Sequence, residues 1–402
     1  MAACHAARPG IRVVVLERKS DGGRKILISG GGRCNVLPAE LDERRFVTAS
    51  SPNSLRKILR GWPLPAMRRF FEGDAALPLV EEVETGKLFP VANTSRSVRD
   101  ALVNLAARRG VEVRTNTTVV GIEPAAGRWR VLIEGSEPLT ADAVIVATGG
   151  LSVPQTGSEG FAFRNLTNLG FTLHPTYPAL TPLTISPPTF ADLAGVSLDV
   201  DITARSASEQ RRANGGFLFT HRGFSGPALL DVSHVAVRAR LAGEERAVLT
   251  VDWRGLGSEG WQQRLQPGPG LVVTSLRKEL PTRLADRLMQ EADVDLDTPA
   301  SRLDRESRRR LLQALSSFTL PWSSDEGYRK AEVTGGGIAL EEVDPVTMEC
   351  RRHPGLYVVG ESLDAFGPIG GYNFSWAWVT GHLAGRAAGS RLAGSRADVA
   401  SR

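Results

Sequence analysis

The chain has 402 residues, of which 42% are apolar and 23% charged, and its formal net charge is +5. This composition predicts a soluble globular protein with a sizeable core and two or three structural units. Almost all basic side chains are arginines, and the cluster Arg308–Arg310 is predicted to lie on an exposed helical face. A solvated face explains such a cluster better than a nucleic-acid partner, so nucleic-acid binding is not expected.

Cysteine spacing and the length of the apolar runs indicate where in the cell the protein acts. Cys4, Cys34 and Cys350 lie far apart and have no C-x-x-C spacing. This pattern argues against a disulfide framework and a zinc cage, and it fits a reducing, cytoplasmic setting. The first ten residues lack the apolar segment of a signal peptide, and no apolar run approaches the ~20 residues that cross a bilayer. We therefore expect no membrane partner.

The first part of the chain has the pattern of an α/β protein. A short N-terminal helix is predicted before the strand 11–17, and helices are predicted at 53–61, 65–72 and 95–110. The last of these has a serine cap and ends at a glycine. Three strand-like stretches follow within 111–150, the first of which runs through residue 124. A parallel sheet is the expected architecture of this part.

The rest of the chain departs from this pattern and then returns to it. From about 177 to 254 prolines and strand-like stretches dominate, which predicts an inserted β-rich unit. Residues 271–318 have the periodicity of amphipathic helices. Residues 355–361 are another short apolar strand, and a helix is predicted from about Phe374. The C-terminal segment is therefore expected to complete the first α/β unit.

Two features near the start of the chain indicate a ligand. Glu17 ends the first strand, where a carboxylate can bind a ribose diol, although a solvated glutamate is commoner when the residue is considered alone. The triplet Gly30–Gly32 follows, and consecutive glycines tolerate positive φ where bare backbone lines an anion or carbonyl site. Arg24 and Lys25 add two cations nearby. The apolar residues between these cations and the glycines argue against a flexible surface loop.

Two later strands also end in glycines, at the edge where open α/β sheets bind ligands. The residues concerned are Ala147, Thr148, Gly149 and Gly150 after one strand, and Gly360 and Glu361 followed by Gly370 and Gly371 after the other. Each ending is a weak signal by itself. The three strand-to-glycine endings together predict a large nucleotide cofactor.

Three other features could indicate a nucleotide-binding, metal-binding or catalytic site. Residues 255–260, "GLGSEG", match G-x-G-x-x-G but precede only a short helix-like segment, so we interpret them as a connector. The six histidines show no metal-ligand spacing, and no metal site is expected. His221 lies in a polar turn, where it could transfer a proton, orient a substrate carbonyl, or simply bond the turn.

Six stretches together are more specific than any single glycine motif. They are "GRKILISGGGRCN", "ATGG", "PQTGSEG", "FTHRGFSGPALL", "EVTGGGI" and "GLYVVGESLDAFGPIGGYNFSWAWVTG". In order and spacing they resemble the bacterial BaiN-like family of FAD-dependent oxidoreductases, also labelled aminoacetone oxidase-like flavoproteins. The resemblance extends over nearly the whole chain.

The resemblance implies an α/β fold with a doubly wound, Rossmann-like FAD-binding domain that is interrupted by β-rich and helical insertions covering the flavin. The implied boundaries are 1–176 for the first part of the FAD domain, 177–256 for the β-rich insertion, 257–318 for the helical subdomain, 319–334 for a return strand of the β-rich domain, and 335–402 for the second part of the FAD domain.

The same resemblance assigns roles along the cofactor. Glu17 would bind the adenosine ribose, and Val119 would lie by the adenine. Glu361 would approach the ribityl or pyrophosphate region. The residues implied along the cofactor are Lys25, Ser29, Gly30, Gly31, Gly32, Arg33 and Asn35, and those implied to face the isoalloxazine ring are Gly370, Gly371, Tyr372 and Asn373. His221, Tyr372 and Asn373 are the candidate catalytic residues.

One departure from the family concerns the start of the sequence. The family begins with a strand and a G-x-G-x-x-G turn that places the pyrophosphate at a helix N-terminus, and this sequence starts after that turn. Without the central strand, buried backbone groups lose partners at about 1–3 kcal/mol each, which predicts a chain that is unstable or unable to hold FAD. We expect Met1 to be an internal methionine preceded by about 15–25 further residues, as this motif requires. Upstream codons in frame would test this.

The resulting expectation is an FAD-dependent oxidoreductase that transfers a hydride or electrons between a small organic substrate and a nicotinamide, NADPH or NADH, or oxygen. An activated-alkene reductase and an amine oxidase both remain open. Two other classes also remain: a non-catalytic remnant of a flavoprotein fold that has lost FAD binding, and a flavin-dependent RNA-modifying protein. The substrate and the oligomeric state are not indicated by the sequence.

Overall fold

The computed structural model describes residues 1–400, with side chains described for residues 1–394. The chain forms two compact units. The first unit combines Met1–Thr176 with Val333–Arg402, and the second is Tyr177–Glu332. Each unit has its own hydrophobic core. Within the described residues, no helix has both the length and the apolar character that crossing a membrane requires.

The helices are distributed over both units. In chain order they are α1 (Ala2–Ala6), α2 (Arg24–Ile28), α3 (Pro52–Arg60), α4 (Leu64–Glu72), α5 (Ser95–Arg108), α6 (Phe161–Asn168), α7 (Pro227–Leu241), α8 (Gly257–Arg264), α9 (Val272–Leu276), α10 (Thr282–Glu291), α11 (Arg305–Ser316) and α12 (Tyr372–Ala400). Short 3-10 turns include Ser29–Gly32 and Gly360–Ser362.

The strands are short in the first unit and longer in the second. In chain order they are β1 (Val14–Leu16), β2 (Leu37–Pro38), β3 (Leu79–Glu82), β4 (Lys87–Pro90), β5 (Glu112–Arg114), β6 (Val119–Ala125), β7 (Arg128–Ile133), β8 (Leu139–Ala141), β9 (Val144–Val146), β10 (Leu173–Ala179), β11 (Leu183–Thr184), β12 (Ser197–Arg205), β13 (Gln210–Thr220), β14 (Gly223–Ser225), β15 (Val248–Trp253), β16 (Phe318–Thr319), β17 (Ser324–Asp325), β18 (Val333–Ile338) and β19 (Leu356–Val358).

The strands of the first unit form several small sheets. β1 pairs in parallel with β5, where Val14 lies opposite Glu112, and β9 pairs in parallel with β19, where Val144 lies opposite Leu356. The antiparallel sheets β2–β4–β3 and β6–β7–β8 and the pair β10–β18 complete the unit. Parallel strands joined through helices confirm the α/β, Rossmann-like prediction.

One predicted strand divides into two. Where the sequence indicated a single strand over 111–124, the structure has β5 and β6, which belong to different sheets. Asn116 between them has a left-handed φ of 50°, and the Thr117 amide donates to the Glu17 carbonyl oxygen. The alternating pattern continues through this turn, so the sequence alone does not show the break.

The predicted serine cap of α5 is a threonine. Thr94 Oγ1 accepts a hydrogen bond from the Ser97 amide at 3.3 Å. Ser95 instead donates from its hydroxyl to the Leu27 carbonyl oxygen at 2.8 Å, which ties the start of α5 to α2. Both residue types are good caps, and the tertiary contact of Ser95 decides between them.

The core of the first unit is built around α12. Glycines of this helix face α1 so closely that a Cβ added to Gly385 would lie 2.3 Å from the Ala2 carbonyl oxygen. A Cβ added to Gly389 would lie 2.7 Å from the Ala6 carbonyl oxygen. Because residues four apart share one helix face, these glycines form a surface on which the α1 backbone lies.

The second unit is a mixed β and helical body with one core. Its seven-stranded sheet has the order β16–β15–β12–β13–β14–β11–β17, and neighbouring strands are antiparallel. Phe217, Phe219 and Trp253 are almost completely buried and pack with the helices α7–α11. Val333 and Thr334 lie in the first unit, although the sequence analysis assigned them to the β-rich insertion.

The "GLGSEG" segment connects β15 to α8, as interpreted, but its last four residues already belong to the helix. α8 starts at Gly257, inside this segment. The Gly257 amide donates to Asp252 Oδ2 at 2.8 Å, which fixes the start of the helix. Trp261 on α8 is completely buried and supplies the apolar anchor that a short helix needs.

Candidate cofactor site

A buried polar cluster joins four segments of the first unit. We call it the Glu361 cluster, and it consists of Lys25, Ser152, Thr334 and Glu361. Glu361 Oε1 accepts from Ser152 Oγ at 2.5 Å, from the Thr334 amide at 2.9 Å and from Thr334 Oγ1 at 2.8 Å. Its other oxygen, Oε2, accepts from Lys25 Nζ at 2.5 Å, and Lys25 also donates to Ser152 Oγ. The cluster lies where β9 and β19 end, at the edge predicted to bind a ligand.

Electrostatics keep the Glu361 carboxylate ionised. Burial by itself raises the pKa of Glu361, but the Lys25 ammonium and the hydrogen bonds from Ser152 and Thr334 outweigh burial, so the net pKa lies below its usual value. The ammonium of Lys25 is only partly enclosed, with 31% of its side chain exposed. Two of its three N–H donors are used within the cluster, which leaves one for a ligand.

Gly150 is required by this cluster. A Cβ at Gly150 would lie 2.4 Å from Thr334 Oγ1 and 2.9 Å from Glu361 Oε1. Gly149 has a left-handed φ of 72°, and its carbonyl oxygen accepts from Ser362 Oγ at 3.0 Å. The glycines after β9 therefore allow close packing of the protein on itself, in addition to any ligand contact.

The glycine triplet leaves a bare stretch of backbone. Gly30, Gly31 and Gly32 have left-handed φ values of 54°, 64° and 87°. A Cβ added to Gly31 or Gly32 would meet nothing within 4 Å. Glycine is therefore needed here for its backbone conformation, and the space beside it is open.

Asn35 carries an unused carboxamide beside a second pair of glycines. The residue is 9% exposed, and neither Oδ1 nor Nδ2 has a hydrogen-bond partner among the described residues. A Cβ at Gly371 would lie 3.0 Å from Asn35 Oδ1, and one at Gly370 would lie 4.0 Å from Asn35 Nδ2. Since buried amides are nearly always hydrogen-bonded, this carboxamide indicates a ligand with a donor and an acceptor.

Several predicted cofactor residues use their polar groups inside the protein. Glu17 Oε1 accepts from the Lys19 amide at 2.9 Å, and Arg24 Nε donates to Asp21 Oδ1 at 2.6 Å. Ser29 Oγ donates to the Ile26 carbonyl oxygen at 2.8 Å. The structure does not bring Glu17 or Arg24 into contact with the Glu361 cluster. These side chains help to fold the segments on which they lie.

Arg33 is likewise engaged near its own segment. Its guanidinium donates to Asn93 Oδ1 at 2.7 Å and to Glu82 Oε1 at 2.9 Å, and it lies 4.0 Å from the centre of the Phe89 ring. The backbone between Ser29 and Asn35 is thereby held in place from outside. Arg33 thereby supports the glycine triplet from its own segment.

The three candidate catalytic residues lie in different settings. The Tyr372 hydroxyl accepts from Arg45 at 3.3 Å, and its ring packs on Phe46. Asn373 Oδ1 accepts from the Gly367 amide at 2.9 Å, and Nδ2 donates to the Gly367 carbonyl oxygen at 2.8 Å, which closes the loop before α12. His221 is exposed in the turn between β13 and β14 of the second unit.

Two other predicted cofactor positions, Val119 and Gly360, lie at or near the ends of strands in the first unit. Val119 begins β6 and lies opposite Ile133 of β7. The Gly360 amide donates to Thr380 Oγ1 at 2.9 Å, and the Gly360 carbonyl oxygen accepts from Trp376 Nε1 at 3.0 Å, which anchors the end of β19 to α12. Gly360 is thus a packing residue that positions Glu361.

Sequence reasoning missed Ser152 and Thr334 in the cluster and also missed a second buried carboxylate, Asp364. Asp364 lies in the quoted stretch "GLYVVGESLDAFG", three residues after Glu361, and it is 2% exposed. A carboxylate inside an otherwise apolar and glycine-rich segment was the available signal. Ser152 and Thr334 gave no signal, because hydroxyl residues are common on surfaces.

Residues 1–387 match the family described as HI0933-like protein Rossmann domain. The chain belongs to this family. Its members are FAD-dependent oxidoreductases, and the chain is an enzyme of that class. This confirms the resemblance inferred from the six stretches.

Two family relatives are about equally similar to the chain. A ribosomal RNA dihydrouridine synthase of Escherichia coli is 31% identical over 93% of this chain and 91% of its own length. A 3-dehydro-bile acid delta(4,6)-reductase of Clostridium scindens is 31% identical over 97% of this chain and 96% of its own length. Among solved structures, a 3-ketosteroid delta1-dehydrogenase of Sterolibacterium denitrificans shares the fold, with a TM-score of 0.52, 12% identity and 97% coverage of each chain.

The residues of the first unit fit the FAD that the family binds. The unsatisfied Asn35 carboxamide can pair with the alternating donors and acceptors along a flavin ring edge, and the open space beside Gly31 and Gly32 admits a flat group. A Cβ at Gly371 would lie 2.7 Å from the Leu37 carbonyl carbon, so this glycine allows the chain to pack on itself beside Asn35. Lys25 retains an N–H for an anionic or carbonyl group.

Proposed function

We propose that this protein is a flavin-dependent reductase that uses a reduced nicotinamide to reduce a carbon–carbon double bond conjugated to a carbonyl group in a small organic substrate. The single observation that carries the cofactor assignment is the buried, unpartnered Asn35 carboxamide between two glycine segments. The names of the two relatives direct the choice of reaction.

Both names describe the reduction of a double bond in a substrate that also carries a carbonyl. A delta(4,6)-reductase acts on a 3-dehydro bile acid, and a dihydrouridine synthase acts on a uracil ring. Such a double bond is electrophilic at the carbon remote from the carbonyl, so it accepts a hydride. This favours the reductase over the amine oxidase that the sequence left open.

The chain supplies binding and orientation. When bound, the flavin supplies the hydride chemistry. In this proposal Asn35 would hold the polar edge of the ring, and the backbone of Gly370 and Gly371 would face it. Lys25, held by Glu361 and Ser152, directs a positive charge at an anionic or carbonyl part of the cofactor.

An RNA-modifying reductase is the second candidate, because the Escherichia coli relative is named for a ribosomal RNA substrate. The arginine cluster on α11 does not favour it. Arg309 pairs with Glu306 at 2.6 Å, Arg310 Nε donates to the Ala292 carbonyl oxygen at 2.8 Å, and Arg308 donates to the Leu265 carbonyl oxygen. Arg308 and Arg310 thus bind other segments of the second unit, and Arg309 is paired within its own helix, so the small substrate is preferred.

Anaerobic stopped-flow spectroscopy tests the proposal. Reduced nicotinamide should bleach the flavin absorption of the purified holoprotein, and androst-4-ene-3,17-dione or cyclohex-2-enone should restore it. Bleaching by a primary amine with release of peroxide would support the oxidase instead. Restoration only by a uridine-containing ribosomal RNA fragment would support the RNA candidate. A folded, colourless protein that ignores added FAD would support the remnant and contradict the proposal.

Substitution of Asn35 tests the cofactor assignment. Asn35→Leu should weaken FAD binding by about tenfold to a hundredfold, the effect of losing one or two hydrogen bonds to a buried ligand group. Asn53→Leu, on an exposed position at the start of α3, is the control. Equal FAD affinity for the two variants, measured by flavin fluorescence quenching, would remove Asn35 from the site.

A further inference from the structure

A histidine and a buried carboxylate meet beside the Glu361 cluster. His174 lies on β10, which pairs with β18, the strand that carries Thr334. Asp364 follows Glu361 on the segment that leads to Gly370. The Asp364 amide donates to the Ile338 carbonyl oxygen at 2.9 Å, so β18 holds this segment directly. Asp364 therefore lies on the segment that carries Glu361, and His174 lies on the strand next to the one that carries Thr334.

Asp364 is held by donors that all contact one of its oxygens. Oδ2 accepts from Thr48 Oγ1 at 2.9 Å, from the Ala49 amide at 2.9 Å, and from the Ser50 amide and hydroxyl, both at 2.8 Å. These four donors fix the orientation of the carboxyl group. Its fixed orientation makes Asp364 a suitable partner for a ring that must be aligned.

His174 approaches the same oxygen. Its Nε2 lies 3.8 Å from Asp364 Oδ2, is buried, and has no hydrogen-bond partner among the described residues. The side chain is 27% exposed, and Nε2 is its buried ring nitrogen, which leaves Nδ1 as the nitrogen available to a ligand. A shift of about 1 Å would bring Nε2 into hydrogen-bond distance, as catalytic pairs often do when a ligand binds.

We propose that His174 is the proton donor of the reductase, with Asp364 as its positioning residue; this inference rests on the function proposed above. In the reaction, the remote carbon of the conjugated double bond receives a hydride from the reduced flavin. The carbon next to the carbonyl receives the proton from Nδ1 of the His174 imidazolium. One C–H bond forms at each carbon, the π bond breaks, and the flavin loses the two electrons that the alkene gains. Water returns the proton to His174, and Asp364 stabilises the cationic ring.

A purely structural role explains the contacts less well. Asp364 has four donors without His174, so the carboxylate does not need the imidazole. His174 gains no hydrogen bond at Nε2 in return, and a buried nitrogen without a partner is costly. If His174 served packing alone, another residue of similar volume would fill this position equally well.

The experiment separates the two halves of the reaction in the flavin-loaded protein. In His174→Gln, reduced nicotinamide should bleach the flavin at a rate within about twofold of the wild-type rate. The rate at which cyclohex-2-enone reoxidises the flavin should fall by about 100-fold to 10,000-fold. The enone concentration that gives half the maximal rate should change less than twofold. Equilibrium binding of cyclohexanone, followed by the shift in flavin absorption, should also stay within twofold. His353→Gln is the control, because His353 Nε2 is already paired with the Leu169 carbonyl oxygen at 3.0 Å.

Asp364→Asn should lower the maximal rate of reoxidation by at least tenfold and leave the half-saturating concentration unchanged. If this variant does not retain flavin, His174→Gln decides alone.

Reoxidation of His174→Gln at the wild-type rate would overturn the proposal, and so would equal losses in both half-reactions. If neither cyclohex-2-enone nor androst-4-ene-3,17-dione reoxidises the reduced wild-type protein, the proposed function and the proton-donor role fail together. Reoxidation of the wild type with an unaffected His174→Gln rejects only the proton donor.

Discussion

At the scale of single residues, the Lys25–Glu361 pair shows why a charged residue tolerates burial. The carboxylate accepts four hydrogen bonds, and its counter-ion arrives from a helix 336 positions earlier in the chain. Removing one partner leaves the other charge without compensation, which is the costly case for buried ion pairs. The energetic effect of each partner is therefore visible only when the two are changed separately and together.

Lys25→Met should lower the free energy of unfolding by roughly 3 kcal/mol, the low end of the range for breaking a buried pair, because Lys25 is 31% exposed. The double variant Lys25→Met with Glu361→Gln should recover part of that loss, because the uncompensated carboxylate is gone. Urea unfolding measures both. Lys57→Met, at an exposed position on α3, is the control. Equal losses of unfolding free energy in Lys25→Met and Lys57→Met would refute the contribution of the Lys25–Glu361 pair.

At the scale of secondary structure, the contact of α1 with α12 depends on small residues and on a histidine pair. Gly385 and Gly389 admit the α1 backbone. Between the same helices, His382 Nδ1 and His5 Nε2 lie 3.2 Å apart, and the His382 ring stacks on Trp62 with 4.1 Å between centroids. The glycine contacts and the histidine pair both need the two helices at one fixed separation.

Gly385→Ala should lower the free energy of unfolding by about 1–3 kcal/mol, because the new methyl would overlap the Ala2 carbonyl oxygen and force the helices apart. Gly394→Ala on the same helix meets nothing within 4 Å, and it should stabilise the helix by up to about 1 kcal/mol. Chemical denaturation of the two variants checks the difference. Equal shifts would mean that helix propensity alone governs this contact.

The histidine pair predicts a loss of stability in mild acid. Burial, and for His5 also the neighbouring His382, lower the pKa of His5 to about 3, and burial lowers the pKa of His382 to about 4. The unfolded chain binds these protons near pH 6.5 and the folded chain does not, so the stabilisation is complete above pH 6.5 and is lost as the pH falls. Between pH 6.5 and 5.5 we expect a loss of roughly 2 kcal/mol.

The variant His5→Gln with His382→Gln should flatten this pH dependence. Thermal unfolding at pH 7.0, 6.0 and 5.5 gives the slope for the variant and the wild type. An unchanged slope would assign the acid sensitivity to other groups.

At the scale of the whole molecule, two separate cores divide the stability of the chain. Ile58 is completely buried in the first core, and Phe217 is completely buried in the second. The residues proposed to bind FAD all belong to the first unit, whose two segments flank the second in sequence. A ligand of the first unit should therefore act on that unit's own stability.

Phe217→Ala should destabilise the second unit by about 3–5 kcal/mol, and Ile58→Ala the first by about 2–5 kcal/mol. FAD at 100 times its dissociation constant should offset about 2.7 kcal/mol of the loss in Ile58→Ala. Limited proteolysis with mass spectrometry locates the first cleavages. We expect them within 177–332 for Phe217→Ala with or without FAD, and FAD protection of that range in this variant would contradict the assignment.

The sequence predicted the elements better than their partners. Helices near 53–61, 65–72 and 95–110 and the long C-terminal helix were predicted close to their observed bounds, because their apolar periodicity is local. The division between β5 and β6 was missed, since a single turn residue does not interrupt an alternating pattern. The start of α8 was missed because it is fixed by Asp252 of β15, which lies outside the short helix-like segment, and by the complete burial of Trp261, which local sequence does not show.

By itself the sequence determined the fold class, the family and the glycine segments that leave backbone bare, because these depend on residue types at fixed local spacing. Only the tertiary structure decided that Glu361 binds Lys25, that Arg24 and Arg33 are engaged elsewhere, and that Asn35 remains without a partner. It also decided that His174 meets Asp364, from segments separated by the whole second unit. The reason is physical: a side chain's hydrogen bonds and charge depend on neighbours in space, and here those neighbours lie up to hundreds of residues away in the chain.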